Sequence, residues 1–203
     1  MSSYLILSLI SLICVEFVEL ASVSGNQEIG SETILIRNLR NAEGTHEECC
    51  GKGKTQFTEE EKKNFEECKQ QYQGKYGGDT PSRADVIRTM ECVTYCVAKK
   101  NNLLDDNGYV KEESFASDMV QIYPEDSVKK IAVANAHNCT LEGNNFAKDN
   151  WEQVKTQFCN PASYMAAHCL MNAVDMDCPK EVQNQSDTCQ KRRQHLQNMK
   201  QNY

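Results

Sequence analysis

Ten cysteines beyond residue 48 restrict this chain more than any other feature: Cys49, Cys50, Cys68, Cys92, Cys96, Cys139, Cys159, Cys169, Cys178 and Cys189. At that density two chemistries compete, metal ligation in a reducing compartment and a disulfide framework in an oxidising one. The N-terminus separates them. Residues Tyr4 to Val15 form an apolar run of 12 residues, the length of a signal-peptide core and well short of the roughly 20 residues a membrane span needs. Small residues follow at Ala21, Ser22, Ser24 and Gly25, so cleavage after Ser22-Val23-Ser24 is expected, making residues 1–24 a signal peptide. No Lys or Arg precedes the run, and Glu16 and Glu19 fall late in the segment, which departs from the usual pattern. Removing residues 1–24 deletes Cys14 and two glutamates, leaving an even ten cysteines and 22 basic against 27 acidic groups, a formal charge of −5. The expectation is a secreted, extracellular protein with disulfides and no membrane insertion. A mildly acidic balance without a basic stripe argues against nucleic acid as a partner.

Residues 25–48 carry few large apolar groups apart from Ile34-Leu35-Ile36 and Leu39, and read as a flexible N-terminal arm. The domain proper is expected over 49–203. Thr58-Glu59-Glu60-Glu61 resembles a capping box ahead of a helix with Phe65 and Cys68 that ends before Gly74. Val86, Met90, Val93 and Val97 recur at spacings of three and four, one stripe of a helix from Ser82 to about Lys100. Asp105-Asp106-Asn107-Gly108 punctuates a turn before a shorter helix over Glu112 to Val120. Another helix starts near Glu125 or Asp126 and reaches Cys139, with Gly143-Asn144-Asn145 as a linker. Two helical stretches are expected around Pro161, one carrying Phe146, Trp151, Val154 and Phe158, the other Tyr164, Met165, Cys169, Leu170, Met171 and Val174. Pro179 then opens a polar terminal helix. No period-two stretch is present, so the fold class is all-α, about six helices around a hydrophobic cavity, with five disulfides.

The cysteine spacing from Cys68 onward is 23, 3, 42, 19, 9 and 8 residues to Cys178, which is followed by Pro179, nine more residues and Cys189. This ladder, with the adjacent Cys49-Cys50 upstream and the segment Leu103-Leu104-Asp105-Asp106-Asn107-Gly108-Tyr109-Val110, resembles the insect odorant-binding proteins, within the pheromone and general odorant-binding superfamily. It is similar to their Plus-C branch, which adds a cysteine before the fifth, a proline after the sixth and a further cysteine beyond. The likeness spans residues 49 to 189; the polar arm at 26–48 departs from it. The family's pairing implies Cys68 with Cys96, Cys92 with Cys169 and Cys139 with Cys178. Cys49 and Cys50 are then expected to take Cys159 and Cys189, in either order, because neighbouring cysteines seldom bridge each other without strain. The resemblance implies a soluble carrier of odorant- or pheromone-like hydrophobic molecules for chemosensation, with a chemosensory receptor as second partner. It implies no catalysis, no cofactor and no metal.

Helical periodicity nominates a ligand pocket lined by Val86, Met90, Val93, Met119, Ile122, Tyr123, Ile131, Trp151, Phe158, Met165 and Leu170. Methionines 90, 119, 165, 171 and 176 either adapt to a ligand or fill a core. Trp151, the single tryptophan, either stacks on the ligand or anchors its helix. His46, His137, His168 and His195 either give a pH response or are simply surface residues, with His137 and His168, each near a bridge cysteine, the candidates for the response. Asn138-Cys139-Thr140 and Asn184-Gln185-Ser186 match glycosylation acceptors; the first has a bridge cysteine at its centre, and the second is expected on an exposed helix. Lys191-Arg192-Arg193 reads as a solvated face of a terminal helix.

Four sharper readings fit less well. The Asp105 turn would place Leu103 at the first ligand position of a calcium loop and lacks its twelfth-position glutamate. Zinc on Cys92, Cys96, His168 and Cys169 conflicts with a secreted cysteine ladder. A phospholipase would need a histidine shortly after Cys49-Cys50, where Gly51-Lys52-Gly53-Lys54 stands, and the Gly-x-Ser-x-Gly elbow of hydrolases is absent. The remaining alternative to a carrier is a secreted structural or protein-interaction factor that keeps the scaffold without an open pocket.

Overall fold

A computed structural model describes residues 48–51, 59–78, 81–152, 154–155 and 157–201. The proposed signal peptide, almost all of the arm and Thr58 of the expected capping box lie outside these residues, as do the side chains of Met119 and Ile122. Six α-helices are present among the described residues: α1 Glu59–Tyr72, α2 Arg83–Lys100, α3 Glu112–Ile122, α4 Asp126–Asn150, α5 Ala162–Met176 and α6 Asp187–Gln201, with a 3-10 turn at Lys180–Val182 before the last. The only β-type pairings among the described residues are isolated bridges, Cys50 with Gln183 and Leu104 with Val110.

Local chemistry sets most of the boundaries. Ser82 caps α2 in a reciprocal box with Asp85, and Lys99 and Lys100 sit at the helix's negative C-terminal end, where cations are favoured. Lys100 also pairs with Glu67 of α1. Asp105 Oδ1 accepts the backbone N–H groups of Asn107 and Tyr109, both at 2.9 Å, so the carboxylate shapes its own turn. Asn160 Oδ1 accepts the Ala162 N–H at 2.9 Å and starts α5. Ser186 Oγ does the same for α6 by accepting the Cys189 N–H at 3.2 Å.

Three helical expectations change. The helix through Cys139 does not stop at Gly143-Asn144-Asn145; α4 runs 25 residues to Asn150. Gly143 serves helix contact rather than a turn, since a Cβ there would lie 2.5 Å from the Ala162 carbonyl oxygen. Asn144 is equally occupied: its Oδ1 accepts from the Val110 N–H at 2.9 Å and its Nδ2 donates to the Val110 carbonyl at 3.0 Å, fastening the Asp105 loop to α4. Phe146 therefore belongs to α4, and the described residues from Trp151 to Phe158 are turns and a bend closed by the Trp151 indole N–H donating to the Phe158 carbonyl at 2.8 Å. Pro179 opens only the 3-10 turn, with α6 starting at Asp187.

The helices α4 and α5 form the central pair; α3 packs on α4, α2 on α5, α1 on α2 and α6 on α5. Phe65, Met90, Val93, Val97, Leu103, Phe115, Val128 and Leu170 fill the interior. Five disulfides cross-link these layers: Cys49–Cys189, Cys50–Cys178, Cys68–Cys96, Cys92–Cys159 and Cys139–Cys169. The implied partners of Cys92 and Cys139 are thus corrected: Cys92 takes Cys159 rather than Cys169, and Cys139 takes Cys169 rather than Cys178. Cys50 takes Cys178, not Cys159 or Cys189. The physical reason is position. Cys169 faces α4, on the same side of α5 as Ala162 and Ala166, which press against Gly143, and Cys139 sits one turn before Gly143. Cys178 lies past the end of α5, beside the Cys50–Gln183 bridge.

Candidate functional site

The eleven nominated lining residues divide by burial. Val93 and Leu170 have 0% of their surface accessible and Met90 has 2%, so these three border no open space and are close-packed core. Val86, Tyr123, Ile131, Trp151, Phe158 and Met165 are half-buried and keep surface that a ligand could reach. Their places differ. Trp151 and Phe158 are joined through the indole hydrogen bond, and the Phe158 ring lies 6.3 Å from that of Tyr76 with the Arg88 guanidinium 4.6 Å over its face. Guanidinium on an aromatic face is attractive by roughly 0.5–2 kcal/mol. Tyr76 in turn reaches Cys92 Sγ at 3.4 Å through its hydroxyl. Tyr123 belongs elsewhere, at the end of α3.

Around Tyr123 the interior is polar in a way the sequence does not announce. Arg192 Nε meets Asp175 Oδ2 at 2.6 Å, and both side chains are largely buried. Arg193 is 9% exposed and donates to the carbonyls of Cys49 at 3.4 Å and Asn184 at 2.9 Å. Only Lys191 of the basic triplet faces solvent, which corrects the solvated-face reading for its other two members. The signal was available: Arg192 and Arg193 stand three and four residues after Cys189, so a bridged cysteine turns both inward. Burial raises the Tyr123 hydroxyl, with the negative charges of Asp175 and Glu48 adding to it.

The two histidines nominated for pH sensing differ. His137 is exposed, with Nδ1 2.8 Å from Glu112 Oε2. His168 is half-buried, stacked on Tyr164 with ring centroids 6.1 Å apart, and its Nδ1 lies 3.2 Å from the Asn172 amide. Burial, with the Arg192 charge adding to it, pushes the His168 imidazole down to about 4. The carboxyl of Glu91 on α2 moves the other way, pushed up by burial to about 7 while Arg88 pulls it back. Burial also raises Asp175, against the pull of Arg192 and Arg193.

These shifts predict opposing slopes. His168 binds a proton more readily in the unfolded chain, so its contribution to stability is present above about pH 6.5 and lost as pH falls toward 4. Glu91 holds its proton more tightly when folded, so its contribution is present below about pH 4.5 and lost as pH rises through 7. Each is worth on the order of 1–3 kcal/mol, and they largely cancel between pH 4.5 and 6.5. The raised Asp175 slopes the same way as Glu91, so Glu91→Gln should tilt the profile upward relative to the parent between about pH 4.5 and 7 rather than isolate His168, measured by urea unfolding. A profile unchanged from the parent's would remove Glu91 from the account.

The zinc set cannot assemble from thiolates, since Cys92, Cys96 and Cys169 are each consumed in a bridge. No protein-family model, curated protein or solved structure matches the chain.

Proposed function

We propose that the chain is a secreted carrier of small hydrophobic molecules of the odorant or pheromone kind, similar to the Plus-C odorant-binding proteins, handing its ligand to a chemosensory receptor. The observation that carries the reading is the order of the three inner disulfides. Among the six cysteines from Cys68 to Cys169, the first joins the third, the second the fifth and the fourth the sixth. That is the interlock the resemblance implies, moved by one cysteine: Cys159 and Cys169 act as fifth and sixth, and Cys178 belongs with the added pairs. Such cross-links hold helices apart at fixed spacing, which lets an interior tolerate an opening that would otherwise cost roughly 24 cal/mol per Å³. Val86, Tyr123, Ile131, Trp151, Phe158 and Met165, half-buried and apolar or aromatic, are the side chains offered to the ligand. No residue has a catalytic role in this reading.

The second reading, an interaction factor on a closed scaffold, is favoured by one observation, the tight packing of Val93 and Leu170. Displacement of a hydrophobic fluorescent probe from the oxidised protein by long-chain alcohols, aldehydes and aromatic volatiles separates the two. The carrier reading expects micromolar displacement, a change in Trp151 emission, and loss of both on reduction. A folded, fully bridged sample that binds no probe would leave the interaction factor.

A further inference from the structure

The two glycosylation acceptors exchange places once their surroundings are known. Asn184 is not on an exposed helix. It lies in the turn before α6, where its Nδ2 donates to the Glu48 carbonyl at 3.2 Å and its Oδ1 accepts the Ser186 N–H at 3.0 Å. Its backbone N–H donates to the Cys49 carbonyl at 3.1 Å, and its own carbonyl receives Arg193 Nη2. A glycan on that amide would have to occupy the seam where the two chain ends are bridged. Asn138 stands on the outer face of α4, exposed.

A second observation falls on the same helix. Among the large apolar side chains, Val133 and Leu141 are 52% and 51% exposed, and no helix among the described residues covers them. Leu141 is three residues from Asn138, the exposed Ala134 is four residues before it, and Val133 adjoins Ala134. Residues three and four apart are surface neighbours on a helix, so Leu141 and Ala134 flank Asn138, whereas Val133, five residues away, lies about 140° around the helix from it.

We propose that Asn138 carries an N-linked glycan whose sugars lie over Leu141, and that Asn184 is bare in the folded product, because a sugar there would keep the terminal seam from closing. The reaction needs a lipid-linked oligosaccharide diphosphate as donor. Asn138 Nδ2 forms a bond to the anomeric carbon, the bond from that carbon to the diphosphate oxygen breaks, the lipid diphosphate leaves, and the amide gives up one proton. Thr140, whose hydroxyl completes the acceptor, is 4% exposed in the folded chain. The transfer therefore precedes closure of Cys139–Cys169, and the two compete.

The inference rests on entry into the secretory pathway, so the full chain is expressed in a glycosylating eukaryotic host twice, with its own leader and behind an established heterologous one. Sugar found only behind the heterologous leader would overturn the signal-peptide reading and leave this one standing. Glycopeptide mass mapping is expected to find sugar at Asn138 and none at Asn184 in the folded product, loss of the Asn138 sugar in Thr140→Ala, and higher Asn138 occupancy in Cys169→Ser, read on total cell extract because that variant need not fold. The amidase-deglycosylated protein should self-associate more than the intact one in sedimentation, and Leu141→Ser should remove the difference. A bare Asn138 behind both leaders, or an occupied Asn184 in the folded product, overturns the assignment; equal self-association with and without sugar overturns the covering role.

Discussion

Gly143→Ala is expected to destabilise the protein by about 3 kcal/mol, although helix propensity alone would have it stabilise by about 1 kcal/mol. The glycine sits well inside a 25-residue helix, where its missing side chain is ordinarily a cost. Here the missing atom is what lets α4 touch α5. An added Cβ would stand 2.5 Å from the Ala162 carbonyl oxygen, 2.8 Å from the Ala166 nitrogen and 3.0 Å from the Ala166 Cβ. The first two are backbone atoms of a neighbouring helix and cannot swing aside as a long side chain would. Nor can α4 slide away, because Cys139, one turn earlier, is bonded to Cys169 of α5. Urea unfolding of the oxidised protein measures the effect. Asn145→Ala, an exposed change on the same helix, supplies the control and should gain a few tenths of a kcal/mol. A Gly143→Ala protein as stable as the parent would mean that the two helices do not meet at this point.

The same glycine explains where sequence reading stops. Gly143-Asn144-Asn145 carries the composition of a linker, and local propensity has no means of registering a helix pressed against it from outside. Where local signals and tertiary packing agree, the chain is legible: α2 shows its start at Ser82 and its apolar stripe at Val86, Met90, Val93 and Val97, and α5 shows Tyr164 to Val174. Trp151 to Phe158 has helical spacing but is stabilised as turns by the indole-to-carbonyl bond, a contact between residues seven apart that periodicity does not encode. The disulfide order implied by the resemblance lies within one cysteine of the structure, since the interlock is the same and only the count that identifies the fifth cysteine moves. For the candidate site, periodicity selects inward-facing residues and nothing more. It places Val93 and Leu170 beside Val86 and Met165 in one group, whereas packing separates the closed pair from the accessible one. Charge patterning misplaces Arg192 and Arg193 because it reads a run of basic residues without asking which way the bridged Cys189 turns the helix.

Removing both bridges that tie the chain ends, Cys49–Cys189 and Cys50–Cys178, is expected to cost more than the sum of removing each alone. The reason is the size of the loops they close. With Cys50–Cys178 intact, Cys49–Cys189 closes only about 14 residues of free chain, and the reverse holds equally, so either loss costs about 3 kcal/mol through the unfolded state. With both gone, the loop released first is again short, but the second spans about 45 residues once the three inner bridges shorten the path, adding about 4 kcal/mol. The total is about 7 kcal/mol against about 6 from the separate losses, and the excess of about 1 exceeds the scatter of roughly 0.3–0.5 expected of independent sites. A loss that large exceeds the lower end of the roughly 5–15 kcal/mol typical of a domain and is about half of the upper end, so the stability of the four-alanine variant is read in an excluded osmolyte and compared with the paired variants in the same solvent. Thiol titration makes the test independent of any entropy formula. Cys49→Ala with Cys189→Ala, and Cys50→Ala with Cys178→Ala, should each leave no free thiol when denatured. Two free thiols in either would show that the cysteines are joined differently, and strictly additive losses would show that the two bridges do not share one seam.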